Sequence, residues 1–310
     1  MSKKIFFQRD SFINEIYKKA KKNKNIFFLS ADFGAPALDI FRKDLPKQFI
    51  HTGISEQNMI DVAMGMSLKR KIVITYAMAP FILSRAWEQH KINSIMKLPM
   101  INLVPGVGYG YANAGPTHYS NEDLGLANLI VGSNIYTASD AKISKLLATD
   151  LIKKKQISFV RLDRSACENI NHDTSKNDIK NGYRTVIKGN QLCIISHGHI
   201  LNKIYQIASL NKKIKKKINL IDLFKCKPFN KKLLKIIKNY KSVIIFDEQY
   251  ENFNLSDIIL KNSNKFDYKI NLKSYSLNEI IDYGNDGREK ILERNDLSSK
   301  KIEKTILKFL

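Results

Sequence analysis

The sequence predicts an α/β protein built from two parallel-sheet domains. Three observations lead there: short, nearly continuous apolar runs of the kind found in strands buried on both faces, segments of helical length between them, and one polar stretch past the middle that interrupts the rhythm. At 310 residues the chain is long enough for two cores, at roughly 100–200 residues per domain.

In the first half the apolar runs are NIFFLSA (25–31), KIVITYA (71–77), MINLVPG (100–106) and QISFVRL (156–162). SFINEIYKKAKK, SEQNMIDVAMGMSLK and PFILSRAWEQHKINSIM lie between them and give the βαβ alternation of a covered parallel sheet. The helix that begins near Ser55 has apolar or small residues at Met59, Val62, Ala63 and Met66, the spacing of one helical face. ENINHDTSKNDIKNGYR is poor in apolar residues and reads as a linker. The expected boundaries are a first domain over 1–167, a linker over 168–187 and a second domain over 188–310. In that second domain the strands are QLCIISHG (191–198), KINLIDLF (217–224) and KSVIIFDEQ (241–249), with helices around 200–210, 230–239 and 253–262. The tail KKIEKTILKFL places Ile302, Ile306, Leu307 and Leu310 at helical spacing.

Composition narrows the function. The net charge of +23 comes mostly from lysines scattered through pieces such as LNKKIKKKINL, without an arginine comb or an aromatic stacking platform. That pattern reads as solvated basic faces, not as a nucleic-acid surface. No apolar run reaches the length of a membrane span, and MSKKIFFQRDSF lacks the apolar core of an export signal, so a cytoplasmic protein is expected. Cys167, Cys193 and Cys226 are far apart and form no CxxC, in keeping with a reducing compartment. His197 and His199 flank Gly198, but no third ligand follows at metal-binding spacing, and no metal site is expected in this chain.

In parallel sheets, ligands sit beyond the carboxyl ends of the strands. Three loops fall there: SADFGAP, HTGISEQ and VPGVGYGYANAGPTH. Glu56 occupies the first turn of a helix, where unpaired backbone N–H groups favour a carboxylate, and that electrostatic role alone would account for it. The glycine-rich loop contains Gly106, Gly108, Gly110 and Gly115 and ends in Pro116-Thr117-His118, followed by Asn121, Glu122 and Asp123. It is neither a dinucleotide fingerprint nor a P-loop, but a histidine there can trade protons near neutral pH. RAWEQHK places Arg85 and Gln89 on one helical face.

In order and spacing, HTGISEQNMIDVAMGMSL, RAWEQ, GPTH, the pair Glu122–Asp123 and SFVRLDR resemble the C-terminal half of transketolases, and more closely the C-terminal subunit of split, two-chain transketolases. QLCIISHGHI, INLIDLFKCKPF and SVIIFDEQ extend the resemblance over nearly the whole chain. The resemblance implies a thiamine diphosphate pyrimidine-binding fold followed by a smaller transketolase C-terminal domain. It implies thiamine diphosphate as cofactor. The GDG motif that marks the family's diphosphate and Mg²⁺ site is absent; the nearest match is NDG at 285–287. An N-terminal transketolase subunit is therefore the expected partner, carrying the Mg²⁺ ligands, in a homodimer or an α2β2 assembly.

The resemblance also implies roles. Glu56 matches the family glutamate that bonds to the pyrimidine ring nitrogen and favours the imino tautomer, whose exocyclic nitrogen removes the thiazolium proton. Phe81, with Tyr76 as the alternative, matches the aromatic stacked on the pyrimidine, and Arg85 belongs to the same cofactor-facing segment. His118 resembles the histidine that faces the substrate, while Arg161 and Arg9 resemble arginines that grip a substrate phosphate. Departures accompany these matches. Ala114 stands where the family loop usually has Asp, an upstream histidine is replaced near Pro105-Gly106, and QYENFNLSD replaces a glycine-rich stretch. They fit a transketolase specialised for another sugar, for instance in surface-polysaccharide or secondary metabolism. The expected reaction is transfer of a two-carbon ketol unit from a ketose to an aldose. The alternatives are a 2-oxo acid dehydrogenase β subunit, a carboligase of the deoxyxylulose-phosphate synthase type and a basic binding protein without enzymatic activity.

Overall fold

The computed structural model describes residues 5–31 and 34–310. Asp32 and Phe33 of the SADFGAP loop lie outside the described residues. The first half runs β1 (Ile5–Phe6), α1 (Gln8–Ala20), β2 (Ile26–Ser30), α2 (Asp39–Asp44), β3 (Phe49–His51), α3 (Glu56–Leu68), β4 (Ile72–Tyr76), α4 (Trp87–Met96), β5 (Met100–Pro105), α5 (Asp123–Leu129), β6 (Asn134–Thr137), α6 (Ala141–Leu151), β7 (Ile157–Leu162) and β8 (Cys167–Glu168). The second half runs α7 (Lys176–Asn181), β9 (Arg184–Ile187), β10 (Leu192–Ser196), α8 (Gly198–Leu210), α9 (Lys212–Lys217), β11 (Ile218–Asp222), β12 (Lys225–Lys227), α10 (Lys232–Ile237), β13 (Val243–Tyr250), α11 (Leu255–Lys265), β14 (Leu272–Leu277), α12 (Arg288–Arg294) and α13 (Ser299–Phe309).

Two main sheets result. The larger has seven strands in the order β12-β6-β7-β5-β4-β2-β3, and the smaller has five in the order β14-β13-β10-β11-β9. Pairing is parallel throughout both, except where β12 meets β6 and β9 meets β11. Apolar side chains cover both faces of the larger sheet. One cluster gathers Phe12, Phe28, Phe41, Tyr76 and Leu147; another joins Met59, Ile60 and Val104 to Ile195, Ile221 and Leu255 of the second half, so the core continues from one sheet to the other.

The expected strands appear with ends shifted by a residue or two, while several others were not foreseen. Part of the expected linker is structured: α7 has a Ser175–Asp178 capping box, and β9 is a strand of the smaller sheet. β12 crosses the expected boundary in the other direction, since it belongs to the second half and extends the larger sheet. α3 begins after Ser55 as expected, but its buried face is Glu56, Met59, Ile60, Ala63, Met64 and Ser67. Val62 is exposed, so the stripe is rotated from the expected one and places Glu56 at its N-terminal end. The expected helix through Arg85 and Gln89 opens instead with a π-turn over Phe81–Arg85 before α4. Arg85 thus lies in the π-turn and Gln89 in α4, not in one uninterrupted α-helix. No helix among the described residues is long and apolar enough to cross a membrane.

Charged side chains join the two halves. Arg288 lies between Asp163 of the first half, at 2.8 Å, and Glu248 of the second, which its Nε reaches at 2.8 Å. Burial would raise the pKa of Asp163, but Arg288 overrides it and brings the value to about 2. A second bridge runs from Arg184 to Asp140 at 2.8 Å and to Asp222 at 2.9 Å, with all three side chains inaccessible. Gly108, at φ +60, passes so close to Glu248 that a Cβ there would stand 2.5 Å from Oε2, and the next residue, Tyr109, donates its N–H to Oε1 at 3.2 Å. The glycine-rich loop is thereby seated on the second half. Replacing Arg288 with Met should leave two buried carboxylates unpaired and cost about 3–5 kcal/mol. Urea denaturation should show this loss, with little change for Lys290→Met, whose ion pair is exposed.

Candidate active site

Glu56 is 4% exposed at the first position of α3. The turn before it is tied down: Thr52 N–H donates to Ser30 at the end of β2 at 3.0 Å, and Ser55 Oγ donates to the Thr52 carbonyl at 2.6 Å. Gly53 takes φ +70, a conformation rarely open to other residues, and lets this turn close. The side chain thus enters the interior beside the carboxyl ends of the central strands.

Arg85 comes from the π-turn. Its Nη1 lies 3.2 Å from both carboxylate oxygens of Glu56, and its guanidinium covers the Phe81 ring with 4.1 Å to the centroid. Phe81 also meets His118, edge-on at 5.2 Å between ring centroids. His118 ends a short 3₁₀ turn, Pro116–His118, that follows Gly115, and its Nδ1 is 3.0 Å from Thr117 Oγ1. The His118 ring then meets Tyr111 at 6.4 Å, and Arg164 covers Tyr111 at 4.5 Å. Glu56, Arg85, Phe81, His118, Tyr111 and Arg164 form one continuous line of contacts. Arg164 also borders a cleft of about 290 Å³ lined by Tyr109, Asn113, Ser165 and Gly287.

The other expected residues lie elsewhere. Tyr76 is wholly buried against Phe28 in the core, so Phe81 is the half-buried aromatic of the two. Arg161 is 2% exposed. Its Nε and Nη2 pair with Asp123 at 2.7 and 2.8 Å, and its Nη1 donates to Thr137 at 2.7 Å. The expected phosphate contact at Arg161 is therefore corrected to an internal ion pair. Arg9 pairs with Asp10 at 2.7 Å and lies beside Tyr76; none of these contacts touches the Glu56–Arg164 line. Sequence reasoning overlooked Arg164. The signal was available in SFVRLDR, because Arg161 falls inside β7 whereas Arg164 falls beyond its carboxyl end at Leu162. Ala114 is exposed next to Gly115, with no acid in its place.

His197 is buried with Nε2 3.0 Å from Asp247 and Nδ1 3.5 Å from Cys226. Among the described residues, no group of three or more His, Cys, Asp or Glu side chains is placed to hold a metal ion. Burial acts to lower the pKa of His197, but Asp247 and Cys226 raise it to about 10.

Two family models match the chain: the transketolase pyrimidine-binding domain over residues 8–169, and the transketolase C-terminal domain over residues 182–292. The chain belongs to the transketolase family. Among similar proteins, an apulose-4-phosphate transketolase subunit of Phocaeicola vulgatus is 25% identical over 257 residues, covering 82% of each chain. The 1-deoxy-D-xylulose-5-phosphate synthase of Malacoplasma penetrans is 29% identical over 254 residues, which make up 78% of this chain and 39% of that protein. A solved structure described as split gene transketolase, inactive beta4 tetramer, has the same fold: TM-score 0.84, 21% identity and 98% coverage of both chains. The transketolase-family assignment gives the Glu56 line its context, since it lies in the part matched by the pyrimidine-binding model.

The raised pKa of His197 has a definite sign in stability. The folded value lies above the ordinary value of 6.5, so the stabilisation is complete below that pH and is lost as pH rises toward about 10. Denaturation curves across this window should show falling stability for the native protein and a shallower slope for His197→Asn.

Proposed function

We propose that this chain supplies the pyrimidine-binding half of a thiamine diphosphate-dependent transketolase site and acts with a partner chain that holds the diphosphate and Mg²⁺. The observation that carries this reading is a buried carboxylate, Glu56, at the start of a helix, with a half-buried aromatic ring, Phe81, one arginine away. An aminopyrimidine needs a carboxylate for its ring nitrogen and a flat apolar surface for its face, and these residues fit both requirements. The names of two similar proteins support a two-chain enzyme: the Phocaeicola vulgatus relative is one subunit of a transketolase, and the solved structure is an inactive β4 tetramer of a split-gene enzyme. We read the assembly as a homodimer or an α2β2 complex in the cytoplasm.

When bound, the cofactor would supply the electron sink for breaking a carbon–carbon bond beside a carbonyl. The rest of the work falls to this chain. Glu56 holds a proton at its carboxylate toward the ring nitrogen, in a setting with little competing water. Phe81 fixes the plane of the ring. With Nδ1 of His118 engaged by Thr117 Oγ1, its Nε2 is left to hydrogen-bond a substrate oxygen. Arg164 offers an exposed guanidinium, stacked on Tyr111 and paired with no carboxylate among the described residues, to a phosphate at the far end of a sugar. The reaction is transfer of a two-carbon ketol unit between a ketose phosphate and an aldose phosphate. The Malacoplasma penetrans relative favours a second reading, joining a decarboxylated 2-oxo acid to an aldehyde. Offering pyruvate or a ketose phosphate as donor, with glyceraldehyde 3-phosphate as acceptor, separates the two.

In the reconstituted two-chain enzyme, Glu56→Gln should keep its circular dichroism spectrum and lose about 10²–10⁴ in kcat, the range of a positioned proton transfer. Activity within a few fold of the native enzyme would remove Glu56 from the chemistry. Arg164→Ala should raise KM for a phosphorylated acceptor by about 10–150-fold, the worth of a charge-assisted bond, and leave the unphosphorylated acceptor nearly unaffected. Steady-state kinetics with both acceptors reads this difference.

A further inference from the structure

Arg85 makes two contacts that the cofactor's pyrimidine would also need. Its Nη1 lies 3.2 Å from each oxygen of Glu56, in the place a ring nitrogen would have to take to share a proton with that carboxylate. Its guanidinium carbon lies over the Phe81 ring, 4.1 Å from the centroid, and His118 already stands edge-on to that ring. The Arg85 side chain is 48% exposed and the Glu56 side chain 5%, so Arg85 covers the carboxylate from the solvent side. It also leaves from the π-turn, a local feature that recurs at functional sites.

We infer that Arg85 is a displaceable placeholder, which neutralises Glu56 and shields Phe81 until the aminopyrimidine ring takes both contacts. The inference rests on the reading of Glu56 and Phe81 as the pyrimidine site. Arg85 is a positioning residue: it covers the buried carboxylate and holds it in place, then swings toward solvent. A permanent Arg85–Glu56 bond would keep the carboxylate from sharing a proton with a ring nitrogen. Displacement has a definite consequence, because breaking the pair and the stacking contact weakens the observed affinity for the ring.

The test uses the chain by itself and 4-amino-5-hydroxymethyl-2-methylpyrimidine, the pyrimidine half of the cofactor, so that no catalytic turnover is required. Binding is followed by NMR for the native chain, Arg85→Ala, Arg85→Lys and Glu56→Gln, with the guanidinium ¹⁵N signals of Arg85 observed in the native chain. Removing the competing side chain should tighten binding by about 3–10-fold, the combined worth of a half-exposed ion pair and a cation–π contact. Arg85→Lys should fall between, since lysine keeps the charge and loses the planar stack. Saturating fragment should shift the Arg85 signals from paired to freely exchanging. Equal or weaker binding by Arg85→Ala, or Arg85 signals that stay paired at saturation, would overturn displacement while leaving the pyrimidine site intact. Equal binding by Glu56→Gln and the native chain, or no binding to any form, would overturn both the placeholder and the reading of Glu56 on which it depends.

Discussion

Burying the carboxylate of Glu56 is the constraint on which the site depends. An ionised carboxylate in the interior costs several kcal/mol unless its charge is answered. The helix start supplies partial positive charge, and Arg85 supplies a whole one. The Thr52–Ser55 turn fixes the backbone, so the carboxylate cannot escape to water by shifting the first turn of α3. Phe81 and Arg85 leave the same π-turn, which ties the aromatic platform to the acid it accompanies. A change in any one of these parts alters the electrostatic setting of the others.

The second half contributes by placing the other end of the line. His118 and Tyr111 belong to the glycine-rich loop, and that loop rests on Glu248 through Gly108 and the Tyr109 N–H. Glu248 is in turn held by Arg288, which also grips Asp163, just beyond β7 and one residue before Arg164. One buried guanidinium therefore references both the histidine loop and the arginine segment to the same point. Arg161, although internal, serves the same geometry: its fork on Asp123 ties the end of β7 to the start of α5.

The sequence made the central strands legible because they are continuous apolar runs; β2, β4, β5, β7, β10 and β11 fall within them, and β13 passes the end of its run by one residue. It concealed β3, β9, β12 and β14, which are short or lie at sheet edges with partly exposed side chains, so burial leaves no pattern on them. Glu56 could be read at a helix start, but periodicity chose Val62 for the buried face, and only packing shows that the acid itself is part of that face. The two arginines of SFVRLDR show a similar limit. Residue type suggests phosphate for both; position relative to the strand end separates an internal brace from a group available to a ligand.

On the proposed division of the site between two chains, this chain meets only the pyrimidine end of the cofactor. Calorimetric titration of thiamine diphosphate with Mg²⁺, first into the chain alone and then into the chain mixed with a partner that carries a GDG segment, distinguishes a half-site from a complete one. Binding should be weak or undetectable for the chain alone and saturable in the micromolar range once the partner is present. Micromolar binding by the chain alone would contradict the division of the site between two chains.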